Sequence, residues 1–387
     1  MTPDPVDFIG CDALLSDEER MVAQTVRAFV RDRVVPNVAG WFEEGILPRE
    51  LGAELGALGL LGMHLKGYGC AGASAVAYGL ACRELEAGDS GVRSFASVQG
   101  SLAMYAIARW GDEAQKQQWL PPMARGEKIG CFGLTEPDFG SNPAGMRTFA
   151  RRDGSDWLLD GTKMWITNGS IADLAIVWAQ TDAGIRGFIV PRDTRGFTAS
   201  DIHRKLSLRA SITSELVMNE CRLPHDALLP LGDGLGAPLS CLNEARYGIV
   251  WGAMGAARSC YETALDYART RVQFDRPIGA FQLTQAKLVD MLLELGKGTL
   301  LALHIGRMKD EGRLHPSQVS FAKLNNVREA LKIARSARTI LGANGVTLEY
   351  PVIRHMNNLE SVLTYEGTSE MHALVVGKEI TGLAAFT

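Results

Sequence analysis

Residues 157–190 read WLLDGTKMWITNGSIADLAIVWAQTDAGIRGFIV, and this stretch differs in pattern from the rest of the chain. Short apolar runs occur at 157–159, 174–178 and 187–190. Glycine-containing dipeptides lie around them, at 153–154, 160–161 and 168–169. Short apolar runs bounded by such dipeptides indicate β-strands, with a turn at each dipeptide. We therefore predict a β domain that spans residues 129–232.

The chain on either side of this stretch is patterned as helix. Residues 16–19, SDEE, form a capping box, and apolar residues follow it at helical spacing. Further helical stretches lie at 50–61, 74–86 and 101–109, and the helical period returns after residues 232–234, GDG. This order predicts an α+β multidomain fold. Its parts are an N-terminal helical domain at 1–128, a middle β-barrel or sandwich domain at 129–232 and a C-terminal helical bundle at 233–387.

The C-terminal region shows where its helices pack, begin and end. Between residues 238 and 272, small residues fall on nearly one helical face: Gly248, Gly252, Gly255 and Ala256. Such a face predicts close packing against another helix. Pro277 and Pro316 stand where new helices would begin, and residues 342–345, GANG, would end one.

Composition excludes several classes of protein. The 387 residues are 46% hydrophobic and 22% charged, as in globular proteins, and the net charge of −4 gives no reason to expect nucleic acid or an anionic membrane as partner. The chain has no apolar run long enough to span a membrane, and its first twenty residues lack the pattern of a signal peptide. The 7 cysteines are scattered, which favours reduced thiols and a cytoplasmic location. The 7 histidines form no cluster, so we expect no metal site.

Residues 67–72, GYGCAG, match the dinucleotide-binding pattern GxGxxG, with Asp89 downstream as a candidate ribose contact. Only a short apolar run precedes this match, and no alternation of strands and helices follows it. A nicotinamide site needs a parallel sheet to hold it. We therefore interpret these residues as a glycine-rich connection between helices.

Four separate motifs carry a resemblance to a known family. Residues 131–137 read CFGLTEP, followed by Gly140-Ser141, and residues 163–169 read KMWITNG. Residues 271–274 read RVQF, with Pro277, Gln282 and Leu283 after them, and residues 364–368 read TYEGT. In this order and spacing they resemble the acyl-CoA dehydrogenase family across nearly the whole chain. The resemblance implies an enzyme that uses FAD to oxidise the Cα–Cβ bond of a short acyl thioester.

The resemblance implies a flavin site in the middle domain. Thr135 would hydrogen-bond the isoalloxazine ring, Trp165 would pack on it, and Thr167 would bond near N5, the atom that receives hydride. Ser141 would contact the pyrophosphate and the pantetheine side of the thioester. The other implied cofactor positions are Phe132, Leu134, Ile166, Thr368 and Glu370. An aromatic wall with a few neutral donors suits a planar, electron-poor ring. Taken alone, Trp165 would be a buried strand aromatic and Thr135 a turn residue.

The resemblance also implies that two chains share each flavin. Arg271, Gln282, Gly342 and Ala343 are similar to family positions that reach the FAD diphosphate and adenosine from a neighbouring subunit, and Phe274 is assigned to the same cofactor. A homotetramer is then the expected assembly. The alternative for Arg271 is a solvated charge at a helix end.

Glu366 is the candidate catalytic base. It lies between two helical segments, and Gly367 beside it lets the backbone approach a ligand. Thr368 is a plausible N-cap for the last helix. A free glutamate has a pKa near about 4.3 and is a weak base for a carbon acid, but burial should raise that pKa. The alternative is that Glu366 only caps or pairs at a helix end.

The acyl group is indicated by residues 86–94, EAGDSGVRS, which resemble the substrate-side segment of glutaryl-CoA dehydrogenases. The resemblance implies that Arg93 pairs with the distal carboxylate of glutaryl-CoA and that Ser94 assists. Glu86 and Tyr365 match positions near that carboxylate, and Arg246 lies in a second similar segment and is also assigned to the substrate. A buried carboxylate needs a cationic, hydrogen-bonding partner. The alternative for Arg93 is a surface or interface arginine.

The implied reaction has three steps. Glu366 removes an α-proton while hydride passes from Cβ to the flavin, CO2 then leaves from the distal carboxylate, and Glu366 returns a proton to the γ-carbon. The products would be crotonyl-CoA and CO2, with electrons passed on to an electron-transfer flavoprotein.

Other functions remain open at this point. The segment at 66–72, Val92 and Phe95-Ala96 depart from the family pattern beside the acyl pocket. One rival is therefore a dehydrogenase of another short acyl-CoA, or of a carrier-bound acyl thioester, without decarboxylation. A second is a flavin monooxygenase on the same fold, and a third is a non-catalytic binding protein. Glu366 together with Arg93 argues against the last two.

Overall fold

The N-terminal part of the chain is helical. A computed structural model describes residues 3–385. Its first elements are α1 (Asp17–Phe29), α2 (Val38–Glu44), α3 (Leu51–Ala57), a hairpin of β1 (Lys66–Gly67) and β2 (Cys70–Ala71), α4 (Ala75–Gly88), α5 (Ser90–Ser97), α6 (Tyr105–Trp110) and α7 (Glu113–Ala124). Short π-helical segments, Val30–Val34 and Val98–Met104, continue α1 and α5.

Two local predictions for this region are confirmed. Ser16 caps α1, since its Oγ accepts from Glu19 N and its own N–H donates to Glu19 Oε2, at 3.2 and 2.8 Å. The GxGxxG match forms the hairpin of β1 and β2, with Tyr68 and Gly69 at positive φ in its turn. A two-stranded antiparallel hairpin offers no helix N-terminus above a parallel sheet, so it does not form a dinucleotide site.

The middle of the chain forms a mixed sheet. Its strands are β3 (Gly130–Gly133), β4 (Phe149–Asp153), β5 (Asp156–Thr167), β6 (Leu174–Thr181), β7 (Gly184–Pro191), β8 (Phe197–Asp201) and β9 (Thr213–Leu223). They are ordered β3-β6-β4-β5-β9-β8, with β7 paired to β6. β3 and β4 run parallel to β6, and the other pairs are antiparallel.

One predicted turn in this sheet is wrong. Asp160-Gly161 lies inside β5, where the pairing with β9 shifts register between Leu159 and Gly161. Gly161 has φ 145°, and a Cβ placed there would lie 2.6 Å from Thr148 Cα. The glycine therefore serves a β-bulge and a close backbone approach and not a chain reversal.

The last part of the chain is a helical bundle. It consists of α8 (Gly236–Thr270), a hairpin of β10 (Val272–Gln273) and β11 (Arg276–Pro277), α9 (Gln282–Asp310), α10 (Pro316–Leu341), α11 (Val352–Thr364) and α12 (Ser369–Thr381). Pro316 begins α10 as expected. Pro277 ends the hairpin, whose turn residues Phe274 and Asp275 both have positive φ, and it is also the N-cap of a short 3-10 helix, Ile278–Ala280, that precedes α9. No helix in residues 3–385 is both long enough and apolar enough to cross a membrane.

The small-residue face of α8 packs closely against α4, as predicted. A Cβ on Gly255 would lie 1.9 Å from the carbonyl oxygen of Arg83. A Cβ on Gly252 would lie 2.0 Å from Glu86 Oε2. The close approach of these two helices brings Glu86 and the start of α5 to the middle of the bundle.

Candidate active site

Glu366 lies on a strained turn between α11 and α12. It adopts φ 53°, a left-handed conformation that is rare for a residue with a side chain, and Gly367 follows with φ 103°. A Cβ on Gly367 would lie 2.9 Å from the His372 ring, so the position requires glycine. Thr368 is the N-cap of α12 and accepts a hydrogen bond from Met371 N, as predicted. The turn is therefore fixed on its C-terminal side.

Two cations hold the carbonyl groups of this turn. Lys323 Nζ donates to the carbonyls of Tyr365 and Gly367, at 2.6 and 2.7 Å. Arg246 Nε donates to the carbonyl of Glu366 at 2.7 Å. Arg246 was expected on the substrate, and the structure places it on the turn backbone.

Lys323 was missed by sequence analysis. It is 1% exposed on the inward face of α10, among Val319, Ala322 and Val327. The signal that could have found it is a lysine at a position where the helical period calls for an apolar residue. A buried lysine needs a partner, which in this protein is the backbone of the Glu366 turn.

The Glu366 carboxyl group has the properties of a general base. Its Oε2 is buried and has no hydrogen-bond partner among the described residues. Burial raises the pKa of Glu366 above its ordinary value of 4.5, while the nearby cations Arg93, Lys323 and Arg246 oppose the rise. A carboxylate in this setting is more basic than a solvated one, and its free oxygen can accept a proton from carbon.

Arg93 is fully buried beside this carboxyl group. Its Nε donates to Glu86 Oε2 at 2.6 Å, and its Nη2 contacts the hydroxyl of Tyr365. Ser94 Oγ lies 3.4 Å from the same hydroxyl. Arg93 Nη1 is buried and has no hydrogen-bond partner in the part of the chain that the structure describes. The structure thus brings together the four predicted residues at the carboxylate end of the substrate, and the alternative of a surface arginine is wrong.

The charge of Arg93 is shared and not free. Burial would lower the pKa of Arg93, but Glu86 and Tyr365 raise it well above its usual value. Burial also raises the pKa of Tyr365 to about 12, so this hydroxyl stays protonated. An anion that binds to this cluster could therefore accept a hydrogen bond from Arg93 Nη1, while Arg93 stays paired with Glu86.

Three predicted flavin positions, Thr135, Trp165 and Thr167, lie where the loop after β3 meets β5. Met164 N donates to the carbonyl of Thr135 at 2.9 Å, which joins the end of β3 to β5. Trp165 is 60% exposed and has φ 64°, where the pairing of β5 with β9 shifts register. Thr135 and Thr167 are half-buried. An exposed indole between two neutral hydroxyl groups suits a flat, uncharged ring.

The other predicted middle-domain positions differ in exposure. The side chains of Phe132, Leu134 and Ile166 are buried in the core, so they could offer a ligand only their backbone. Ser141 is exposed on the loop after β3. Sequence analysis missed Lys163, a buried residue whose Nζ donates to the carbonyl of Leu134 and to Glu136 Oε1, at 3.1 and 2.8 Å. This pair fixes the loop that carries Thr135.

A separate group of predicted cofactor residues lies at one end of the C-terminal bundle. Tyr267 contacts two of its segments. The carbonyl of Tyr267 accepts from Arg271 N at 2.8 Å, and its hydroxyl accepts from Asn344 Nδ2 at 3.0 Å. The group consists of the exposed residues Arg271, Phe274, Gln282, Gly342 and Ala343. Among the described residues, no hydrogen bond joins this group to Thr135, Trp165 or Thr167. Glu370 is exposed at the start of α12.

Comparison with protein families gives three matches along the chain. Residues 16–127 match the acyl-CoA dehydrogenase N-terminal domain, residues 131–221 the middle domain and residues 232–381 the C-terminal domain of the same family.

Individual relatives agree with these matches. The short-chain specific acyl-CoA dehydrogenase of Homo sapiens mitochondria is 36% identical over 94% of this chain and 90% of its own length. A crystal structure of glutaryl-CoA dehydrogenase from Mycobacterium smegmatis is 69% identical, with a TM-score of 0.98 and full coverage of both chains. A second structure of glutaryl-CoA dehydrogenase from that organism, in complex with FADH2, is 66% identical with a TM-score of 0.99 and covers both chains fully.

Proposed function

Because the chain belongs to the acyl-CoA dehydrogenase family, we propose that it oxidises glutaryl-CoA to crotonyl-CoA and CO2, with FAD as its cofactor. The observation that carries this proposal is that one buried cluster contains two polar atoms without a hydrogen-bond partner among the described residues. These atoms are Glu366 Oε2 and Arg93 Nη1. The first suits proton removal from carbon, and the second suits a substrate with a distal carboxylate.

The residues on β5 and on the loop after β3 fit a flavin. Trp165 would cover the ring, and Thr135 and Thr167 would supply neutral hydrogen bonds to it. When bound, FAD accepts the hydride that leaves the substrate's Cβ. The FADH2 complex of a 66% identical relative supports this assignment. The remaining predicted contacts, from Ser141, Thr368 and Glu370, belong to the same proposal.

Glu366 has two roles in the proposed reaction. Its carboxylate takes the proton from Cα as the Cβ–H bond breaks, which leaves an α,β-unsaturated thioester. Once CO2 has left, the electron pair of the broken C–C bond delocalises into the thioester as a dienolate. Glu366, now protonated, returns the proton to the γ-carbon. The raised pKa of Glu366 serves both steps, because it makes the carboxylate a stronger base and lets the carboxyl group hold the proton until the dienolate takes it.

Glu86 adjusts how firmly Arg93 holds the substrate. A carboxylate locked in a full ion pair would resist leaving as neutral CO2. Since Glu86 already accepts from Arg93 Nε at 2.6 Å, the guanidinium offers the substrate only part of its charge. The substrate is oriented while its carboxylate can still lose charge. A monocarboxylic acyl group would leave Arg93 Nη1 unpaired, so it would bind less well.

The assembly and the partners are parts of the same proposal. We propose a homotetramer in which Arg271, Phe274, Gln282, Gly342 and Ala343 reach the flavin of a neighbouring chain. Their exposure in the single chain supports a contact between chains. An electron-transfer flavoprotein as electron acceptor and a cytoplasmic location stay predictions.

Anaerobic mixing with a panel of acyl-CoAs tests the proposal. Glutaryl-CoA should bleach the yellow flavin far faster than butyryl-CoA, and the product mass should show loss of CO2. Equal bleaching by both thioesters, with a product that keeps its carboxylate, would favour the dehydrogenase without decarboxylation. A stable oxygenated flavin in air would favour the monooxygenase.

A further inference from the structure

The turn that carries Glu366 depends on a lysine from another helix. Three consecutive carbonyls, those of Tyr365, Glu366 and Gly367, each accept a hydrogen bond from a buried or half-buried cation. Lys323 supplies the first and the third, so its ammonium group spans the backbone on both sides of Glu366. Without these bonds, two carbonyls would be left in a poorly solvated site beside a residue at φ 53°.

The surroundings of Lys323 make its charge significant for Glu366. The groups that face this cluster are Glu86 and Arg93 from α4 and α5, Arg246 from α8, His372 from α12, and Tyr365 and Glu366 from the turn itself. Burial and the nearby cations lower the pKa of His372 to about 3, so its ring is neutral. Glu86 is paired with Arg93. Arg93, Lys323 and Arg246 all favour the ionised form of Glu366, and of these cations Lys323 is the one that also bonds the carbonyls on both sides of it.

We infer that Lys323 is a positioning residue for the base: it holds the Glu366 turn in its left-handed conformation and keeps a positive charge beside the carboxyl group. The role of Glu366 as the base rests on the proposed function, whereas the hold on the turn does not. Burial lowers the pKa of Lys323 to about 7, so its charge is weakened in the neutral range and persists below it. In that range the charge of Lys323 favours the ionised form of Glu366.

The test uses the flavin-loaded enzyme and a matched control. Lys323→Met keeps the length of the side chain and removes both the charge and the hydrogen bonds. Lys205 provides the control, because its Nζ also donates to two carbonyls, those of Leu208 and Ser211, at 2.9 and 2.7 Å. It lies beside Leu208, at φ 48°, in a loop of the β domain. Both Met variants remove a partly or fully buried lysine from a strained turn.

Two readouts are compared between these variants. Hydrogen–deuterium exchange of the peptide 360–371 should be about tenfold faster in Lys323→Met, because charge-assisted hydrogen bonds are lost there. In Lys205→Met the turn itself, residues 364–368, should exchange as in the wild type, with the change confined to residues 203–214 and to the part of α11 that Ser207 and Leu208 contact. The pH profile of flavin reduction by glutaryl-CoA should move as well. Loss of the positive charge raises the pKa of Glu366, so reduction at the acid foot of the profile should fall about tenfold.

Conservative replacements separate positioning from folding. Lys323→Arg keeps the charge and should retain the acid side of the profile, whereas Lys323→Gln should lose it. This pair decides the inference if Lys323→Met does not fold. Unchanged exchange of peptide 360–371 in Lys323→Met, or identical profiles in the Arg and Gln variants, would overturn it. If glutaryl-CoA does not reduce the wild-type flavin, the proposed function fails, and the exchange data still decide the role of Lys323.

Discussion

Arg93 and Glu86 form a buried ion pair, and the proposed function assigns the choice of acyl group to the guanidinium nitrogen that this pair leaves unbonded. Both side chains are almost completely inaccessible, at 1% and 0%, and Arg93 Nη1 has no hydrogen-bond partner within residues 3–385. Removing one member of such a pair leaves an uncompensated charge, so a single substitution mixes loss of substrate contact with loss of stability. Any test of Arg93 therefore needs a variant in which both charges are absent.

Arg93→Leu should lower kcat/KM for glutaryl-CoA about a hundredfold more than for butyryl-CoA, because only glutaryl-CoA has a carboxylate to pair. Steady-state kinetics on both thioesters measure the difference. The double variant Arg93→Leu/Glu86→Leu should also lose more activity on glutaryl-CoA than on butyryl-CoA. It should lose less thermal stability than Arg93→Leu. Equal losses on the two substrates would make Arg93 structural.

The pH dependence of flavin reduction follows from the burial of Glu366. A base is active when ionised, and burial raises its pKa above 4.5. The reduction rate at saturating substrate should therefore fall, as pH decreases, through a midpoint above that value, in rapid mixing experiments. A rate that stays constant down to the ordinary glutamate pKa would contradict the assignment.

Sequence reasoning located the reactive residues better than the residues that support them. Glu366, Arg93, Glu86 and Tyr365 could be predicted because they stand in motifs whose spacing is recognisable. Lys323 carries no such motif, since its partners are carbonyls that only the tertiary fold brings within reach. Arg246 was recognised as important, but its contact with the Glu366 carbonyl depends on how α8 passes the turn.

At the scale of elements, the contact between α4 and α8 sets the geometry of the substrate end. Gly255→Ala should lower the thermal midpoint by about 4 °C or more, because the added methyl group meets the carbonyl of Arg83 and the helices must separate. Gly40→Ala is the control, since Gly40 is an exposed glycine of α2 with nothing within 4 Å of the added Cβ. It should leave the midpoint unchanged or slightly higher. Similar midpoints for both variants would show that the α4–α8 contact tolerates the larger residue.

The elements that differ from prediction show what local pattern does not determine. Asp160-Gly161 has the composition of a hairpin turn, yet β9 pairs with residues on both sides of it and keeps β5 continuous. A bulge and a turn use the same residues, and the partner strand selects between them. Pro277 serves as a strand end and as a helix start at once, because it closes β11 and caps a short 3-10 helix, while α9 itself begins only at Gln282.

At the scale of the whole molecule, the proposed flavin site draws on two groups of residues, one on β5 and the loop after β3 and the other at one end of the C-terminal bundle. The division into domains at residues 128 and 232 stays a prediction, supported by the change from helix to strand after Ala124 and back to helix at Gly236. The order of the three domains follows from the periodicity of the sequence. The assembly does not, because an exposed residue in one chain has the same local pattern whether or not a second chain covers it.

Phe274→Asp tests the shared site. Phe274 is 88% exposed in the single chain, so a charge there should not disturb the fold of the subunit. If the residue packs on the flavin of a neighbouring chain, FAD affinity should fall at least about tenfold, and mass measurements should show loss of tetramer. Met21→Asp, at a residue 60% exposed on α1, is the control and should retain both. Unchanged flavin binding in Phe274→Asp would place the residue outside the cofactor site.

The most direct test of the account is anaerobic stopped-flow reduction of Glu366→Gln by glutaryl-CoA. The amide preserves the shape of the side chain but cannot take the α-proton, so flavin should stay bound while its reduction slows at least about a thousandfold. Glu360→Gln, at an exposed glutamate of α11 that pairs with Arg335, should be reduced at the wild-type rate. Reduction of Glu366→Gln at a rate close to that of the wild type would contradict the assignment of Glu366 as the base.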